Sequence, residues 1–210
     1  IPRKLTHDFT YAFWVYIDEW AHHSDKNKVI IRRGSTGIGE ADSLKIYLTP
    51  TINNMRFDLG TMDSSTTGST SSNGVKPCTL NNIPLQRWVN IIINVNNNML
   101  SVIMDGAIHS TRVLNADNDT CEGDSSSKLV SPTTGSVMIG NINETNNTLP
   151  AADGYISRLQ FFNYSLNTPQ HIEKIYNAGP VKSMGILQKL GLPLYGFRNP
   201  LYRIDAVKAE

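Results

Sequence analysis

No run of eighteen apolar residues occurs in this chain, so no segment of it reads as a transmembrane helix. Long basic tracts are missing as well. Arg32-Arg33 and Arg3-Lys4 are isolated doublets, and a formal net charge of +1 cannot blanket a phosphate backbone. Nucleic acid is therefore not expected as the main partner. Charged residues make up only 18% of the 210 residues, against about a quarter in an average soluble domain. Asn, Ser and Thr supply the polar surface instead, a composition that suits an extracellular or virion surface. The chain lacks a glycine-rich phosphate loop followed by Lys, and His109 and His171 stand far from any nucleophile turn. Cysteine is scarce, with Cys78 and Cys121 the whole complement.

What is present is strand pattern. Trp88 to Met104 alternates apolar residues at Ile91, Ile93 and Val95, then at Leu100, Val102 and Met104, around an Asn-rich turn. That is the period of a sheet with one buried face. Asp105-Gly106 closes it with a second turn. Phe9 to Ile17 places Phe9, Tyr11, Phe13, Val15 and Ile17 on one face and Trp14 and Tyr16 on the other, as in a strand covered on both sides. Further strands are predicted over 28–33, 43–48, 54–59 (Met55, Phe57 and Leu59 on one face), 107–114, 136–139 and 155–162. Residues 61–77 read as a Ser/Thr/Gly/Asn loop, 115–127 as an acidic loop and 141–150 as an Asn-rich loop.

The one strong helix signal comes late. Thr168 offers an N-cap, Pro169 the first helical position, Ile172, Ile175 and Tyr176 an apolar stripe, and Gly179-Pro180 a stop. Ten or so strands followed by one short helix indicate an all-β sandwich of two antiparallel sheets with a helical appendage. The domain is expected over 1–180. Residues 181–210 read as an extended apolar arm carrying Leu187, Leu190, Leu194, Tyr195, Phe197, Leu201 and Tyr202, packed on this domain or on a neighbouring molecule as an assembly contact.

Cys78 and Cys121 flank the central strand pair, and a hairpin could bring its ends together. They are either a disulfide or two unpaired core thiols; their polar sequence surroundings favour the bridge. Asn118, Asn143, Asn146 and Asn163 begin glycosylation sequons. Asp117, Asp119, Glu122 and Asp124 cluster in one loop, which is either solvated or a calcium site; no cofactor is otherwise expected. His22-His23 has too few partners for zinc. For glycan contact the candidates are Trp20, in a polar loop, and Tyr47 and Arg56, placed by strand position.

Three segments, FTYAFWVYI, PLQRWVNIIINVNNNMLSVIMDG and DGYISRLQFFNYSLNTPQHIEKIYNAGP, occur in order over roughly residues 7–180. Together they resemble the concanavalin A-like, laminin-G-like jelly-roll domains, most clearly the versions encoded by large double-stranded DNA viruses. The resemblance implies a jelly-roll sandwich that binds sugars, proteins or lipids, and it also implies the two cysteine positions. The family's hydrolases carry a Glu-x-Asp-x-x-Glu segment, which is absent here. Ser157 stands where many calcium-binding relatives have an acidic residue. The resulting expectation is a non-enzymatic structural or surface component of a virion or capsid, bound to other virion proteins and able to attach to glycans. The alternatives are a secreted carbohydrate-binding module at an extracellular or cell-surface location and, third, a glycoside hydrolase.

Overall fold

The computed structural model describes residues 8–34, 44–62, 74–96, 99–113, 129–130, 136–140, 142–144, 147–180 and 201–203. Their elements are β1 (Phe9–Glu19), β2 (Lys28–Gly34), β3 (Leu44–Leu48), β4 (Asn54–Met62), β5 (Gly74–Asn81), β6 (Trp88–Asn96), β7 (Met99–Met104), β8 (Ala107–Val113), β9 (Leu129–Val130), β10 (Ser136–Ile139), β11 (Ile142–Glu144), β12 (Asn147–Leu149), β13 (Asp153–Phe162), α1 (Pro169–Asn177) and β14 (Leu201–Arg203). One antiparallel sheet runs β14-β13-β1-β6-β7-β8. The other runs β10-β2-β3-β4-β5, with β9 against β4, and β11 pairs with β12 alone. This is the expected all-β jelly-roll sandwich with one short helix.

The core lies between the two sheets. From the first come Phe9, Tyr11, Phe13, Val15 and Ile17 of β1, Val89, Ile91, Ile93 and Val95 of β6, and Leu100 and Val102 of β7. From the second come Ile30, Ile31, Leu44, Ile46, Leu48, Met55, Phe57 and Leu59. Alternation along the strands puts these residues on one side, except that in β2 an irregularity between Val29 and Ile31 lets the adjacent Ile30 and Ile31 both reach the core. Burying each of the larger ones contributes about 1.5–3 kcal/mol. The β7–β8 turn is built as expected, with Asp105 at φ 51° and Gly106 at φ 79°, the left-handed pair that a two-residue hairpin loop needs. Asp105 also accepts from the Asn90 amide at 2.9 Å and from Arg87 at 2.8 Å, which ties the turn to β6.

Three stretches differ from the sequence expectation. β5 begins at Gly74, inside the region read as a loop, and carries Pro77. It is the end strand of its sheet, where a missing donor costs little. The Asn-rich 141–150 region contains the β11–β12 pair. Cys78 lies on β5 opposite Phe57 and is 2% exposed, so it sits in the core rather than in a polar loop. It is not a free thiol. Its expected partner Cys121 lies outside the described residues. Of the expected arm, Leu201 and Tyr202 join the first sheet through backbone pairing with Ser157 and Ile156. Leu187, Leu190, Leu194, Tyr195 and Phe197 lie outside the described residues.

Gly154 fixes how β13 starts. Its φ is 152°, and a Cβ there would sit 2.0 Å from the Tyr16 carbonyl oxygen on β1. A backbone atom cannot swing aside as a side-chain tip can. Gly154→Ala is expected to destabilise the fold by about 2–4 kcal/mol, read as a lower urea midpoint with an unchanged slope. A midpoint within error of the parent would show that β1 and β13 can separate at this point.

Candidate functional site

The outer face of the first sheet carries the most chemistry. Trp14 on β1 points away from the core and is 7% exposed. Its ring stacks on Tyr176 of α1, with centroids 5.7 Å apart and planes at 18°. Tyr176 in turn leans on the β7–β8 turn, so closely that a Cβ at Gly106 would lie 3.2 Å from its ring. Ile172 and Ile175 of α1 pack with Phe162 on a small patch of Ala12, Ile92 and Ile103. A nine-residue helix is marginal alone, so this packing and its tether hold it.

The tether is a buried polar clamp. Asn94 on β6 accepts from the Leu166 amide at 2.9 Å and donates to the Leu166 carbonyl at 3.2 Å, as a paired strand would. The Thr10 hydroxyl lies 2.8 Å from the Asn94 side-chain oxygen and 3.0 Å from the Tyr164 carbonyl oxygen. Stripping one partner from such a buried set costs about 1–3 kcal/mol. Thr168 does occupy the N-cap position, but its hydroxyl makes no capping bond. The clamp upstream fixes the helix entry instead.

Between α1 and the sheet lies a cleft of about 290 Å³, lined by Trp14, Arg158, Gln160, Phe162 and Tyr164 on one side and His171, Lys174, Ile175 and Ala178 on the other. The helical residues fall at i, i+3, i+4 and i+7, a single face. Arg158 arrives by an irregularity. The β1–β13 register slips between Ala12 and Trp14, leaving Arg158 and Leu159 opposite Phe13 alone. Ile156 and Leu159 both turn to the core, three residues apart where regular alternation needs two. Ser157 and Arg158 are thereby both on the outer side; the Ser157 hydroxyl donates to the Pro180 carbonyl. Arg158 takes φ 49°, a left-handed conformation that costs about 1–2 kcal/mol. Its Nε and the Trp14 indole nitrogen are both buried donors without a hydrogen-bond partner. The cleft is thus an aromatic floor with basic side chains, and none of its lining residues is Asp or Glu.

The glycan candidates named from sequence lie elsewhere. Tyr47 and Arg56 face each other across β3 and β4. Tyr47 is 6% exposed and donates to Asp58 at 3.3 Å, and Arg56 pairs with the same carboxylate at 3.5 Å. Trp20 is half-buried against the core, with the Lys28 ammonium 4.7 Å above its ring. Asn163 is exposed just past β13, and Asn143 is on β11. Asn118 and Asn146, like the acidic cluster of Asp117, Asp119, Glu122 and Asp124, lie outside the described residues. Among the described residues no three His, Cys, Asp or Glu side chains gather as metal ligands, and no helix is long and apolar enough to cross a membrane.

Residues 2–172 match the concanavalin A-like lectin/glucanases superfamily. The chain belongs to that superfamily. A search of curated protein sequences gave no match. Among solved structures, 80% of the chain superposes on 82% of the sialidase carbohydrate-binding module of Ruminococcus gnavus bound to α2,3-sialyllactose, at 12% identity and TM-score 0.53. Similarity extends to the binding domain of botulinum neurotoxin serotype D (83% of this chain, 14% identity, TM-score 0.51) and to Trypanosoma rangeli sialidase (81%, 15%, 0.51). The chain spans 36% of that toxin chain and 23% of that sialidase. At these identities the likeness is one of fold. The expectation of a virion or capsid protein finds no support: neither the family match nor these structures link the chain to a virion or capsid. An Asn/Ser/Thr-rich surface serves any jelly roll exposed to solvent and does not single out a virion.

Lys28 supplies a test of how tightly the Trp20 region is sealed. It is fully buried, its ammonium 3.4 Å from the Thr49 carbonyl oxygen. Burial lowers its pKa from the ordinary 10.5, and Asp25 partly offsets this. The folded state therefore holds the proton less tightly than the unfolded chain, and stability rises with pH between the lowered value and 10.5. Tyr11 is shifted upward by burial, against the pull of Arg33, so it acts only above its ordinary 10.0. Urea midpoints at about pH 7 and about pH 9.5 are expected to rise in the parent and to stay level in Lys28→Met. Equal slopes in the two proteins would place Lys28 in water.

Proposed function

We propose that this chain is a non-enzymatic carbohydrate-binding module acting at an extracellular or cell surface, with the cleft between β13 and α1 as its sugar site. The observation that carries the reading is the pair of buried, unpartnered donors, Trp14 Nε1 and Arg158 Nε, in the wall of an aromatic cleft. A sugar presents hydroxyl acceptors on its rim and C–H groups on its faces. Aromatic side chains with convergent donors match that surface. The cleft's volume of about 290 Å³ lies at the small end of ligand sites, suited to one or two rings.

Binding is favoured over hydrolysis by the lining itself. Glycoside cleavage needs two carboxyl groups about 5–10 Å apart, and this lining supplies none. Superfamily membership supports a sugar partner, and the similarity to a sialidase's carbohydrate-binding module supports a binding role.

The indole N–H resonances give a direct readout, because the chain has three Trp. Trp14→Phe keeps the stacked ring, removes the N–H and identifies its signal. A soluble oligosaccharide that binds on a glycan array is expected to shift the Trp14 indole signal and leave that of Trp88 in place. Ligand-induced shifts confined to the Tyr47 and Arg56 face would move the site there. No binder on the array would remove the reading.

A further inference from the structure

We infer that the cleft selects negatively charged saccharides, with the Arg158 guanidinium receiving a carboxylate or sulfate group while the aromatic wall takes the ring; this rests on the carbohydrate-binding reading above. The chain as a whole is nearly neutral, with 19 Lys and Arg against 18 Asp and Glu. The cleft is not. Arg158 enters from the sheet, and His171 and Lys174 enter from one face of α1, so basic groups stand on both walls. Among the described residues no acid pairs with Arg158, His171 or Lys174. The acid nearest to them in the helix, Glu173, is one position from Lys174 and two from His171, spacings that do not share a helix face.

Arg158 is also the residue whose placement is least explained by folding alone. The bulge and its left-handed φ turn a charged side chain onto the outer face and bury its Nε without an acceptor. The Nε edge of a guanidinium is half of the fork that grips a planar anion in two parallel hydrogen bonds. A carboxylate or sulfate would satisfy that edge, and Lys174 would add a point charge from the opposite wall. The Tyr47–Arg56–Asp58 cluster offers no such opening, because its cation already has its anion.

The test is titration of the parent chain with sialyllactose, sulfated lactose and lactose, following the Trp14 indole signal at two salt concentrations. The carboxylate and sulfate arms distinguish the two anion sources on a common neutral parent. Either charged sugar is expected to bind about ten-fold or more tightly than lactose, with affinity falling as salt rises. Arg158→Gln should remove most of that advantage, weakening the charged sugars by a clearly larger factor than lactose. Lys174→Gln, an exposed helical position that does not put the fold at risk, should remove about three-fold or more. Lactose binding as tightly as the charged sugars, without salt dependence, overturns the charge selectivity and leaves a neutral sugar site. No saccharide binding at all, or binding only to a polyglutamate peptide used as control, overturns the sugar reading and this inference with it.

Discussion

The structure turns on β1 being buried on both faces from Phe9 to Val15. Phe9, Tyr11, Phe13, Val15 and Ile17 close the inter-sheet core, and Ala12 and Trp14 on the other side are as deeply buried. A sandwich normally leaves the outer face of each sheet solvated. Here the apolar outer positions of a central strand demand a roof, and α1 with its lead-in loop is that roof. The helix has no fully buried residue of its own. It is held by the contact of Ile172 and Ile175 with Ala12, Ile92 and Ile103 and by the Asn94–Leu166–Thr10 clamp at its entrance. A roof resting on a few contacts does not fill the space beneath it, and the cleft is the space left over. Its existence follows from the same pattern that fixes the strand.

The polar character of the cleft comes from irregularity in β13 rather than from its regular part. A strict two-residue period would have sent Arg158 toward the core once Ile156 was placed there. The extra residue opposite Phe13 returns the charged side chain to the outer face and lets Leu159 take the inner one. Five residues further along β1, beside the close approach of Gly154 to Tyr16, lies a second irregularity at Ile17/Glu19. Between these two points the β1–β13 ladder is regular, so the bulge is confined to where Arg158 leaves the sheet. Strain of about 1–2 kcal/mol at a left-handed arginine persists because the surrounding pairing over-determines it.

Much of the fold was legible in the sequence because its signals are local and periodic. The alternation in 88–104, the Asp105-Gly106 turn, the doubly covered pattern of 9–17 and the Thr168-Pro169 helix start each have a short-range cause, and each is found in the structure. β5 was missed because Pro77 and small polar neighbours hide a strand that survives as an edge. The helix cap was half legible: the position is right, but its stabilisation comes from Asn94, more than seventy residues away in sequence. The site was less legible still. Trp20, Tyr47 and Arg56 were chosen by residue type and strand position, yet Tyr47 and Arg56 are tied to Asp58 and Trp20 lies under Lys28. One signal did point at the cleft: the outward Trp14 in the strand 9–17. Nothing local foretold that Arg158 would be turned to meet it, since a bulge is a property of two strands in register and not of either alone.

The two buried donors in the cleft wall make a further point about how a binding site can coexist with a stable fold. A buried N–H without an acceptor costs about 1–3 kcal/mol, and selection for stability alone would replace Trp14 by Phe and Arg158 by a smaller residue. The cost is tolerable where the core is as complete as the one between these sheets, in which more than a dozen large side chains are essentially fully buried. Both donors also lie on the outer face, away from that core, so their cost does not propagate through it. The jelly roll supplies stability on one side of β1 and chemistry on the other. A ligand that supplied acceptors to Trp14 and Arg158 would recover free energy the unliganded fold forgoes, and would be felt as added stability without any rearrangement of the sandwich.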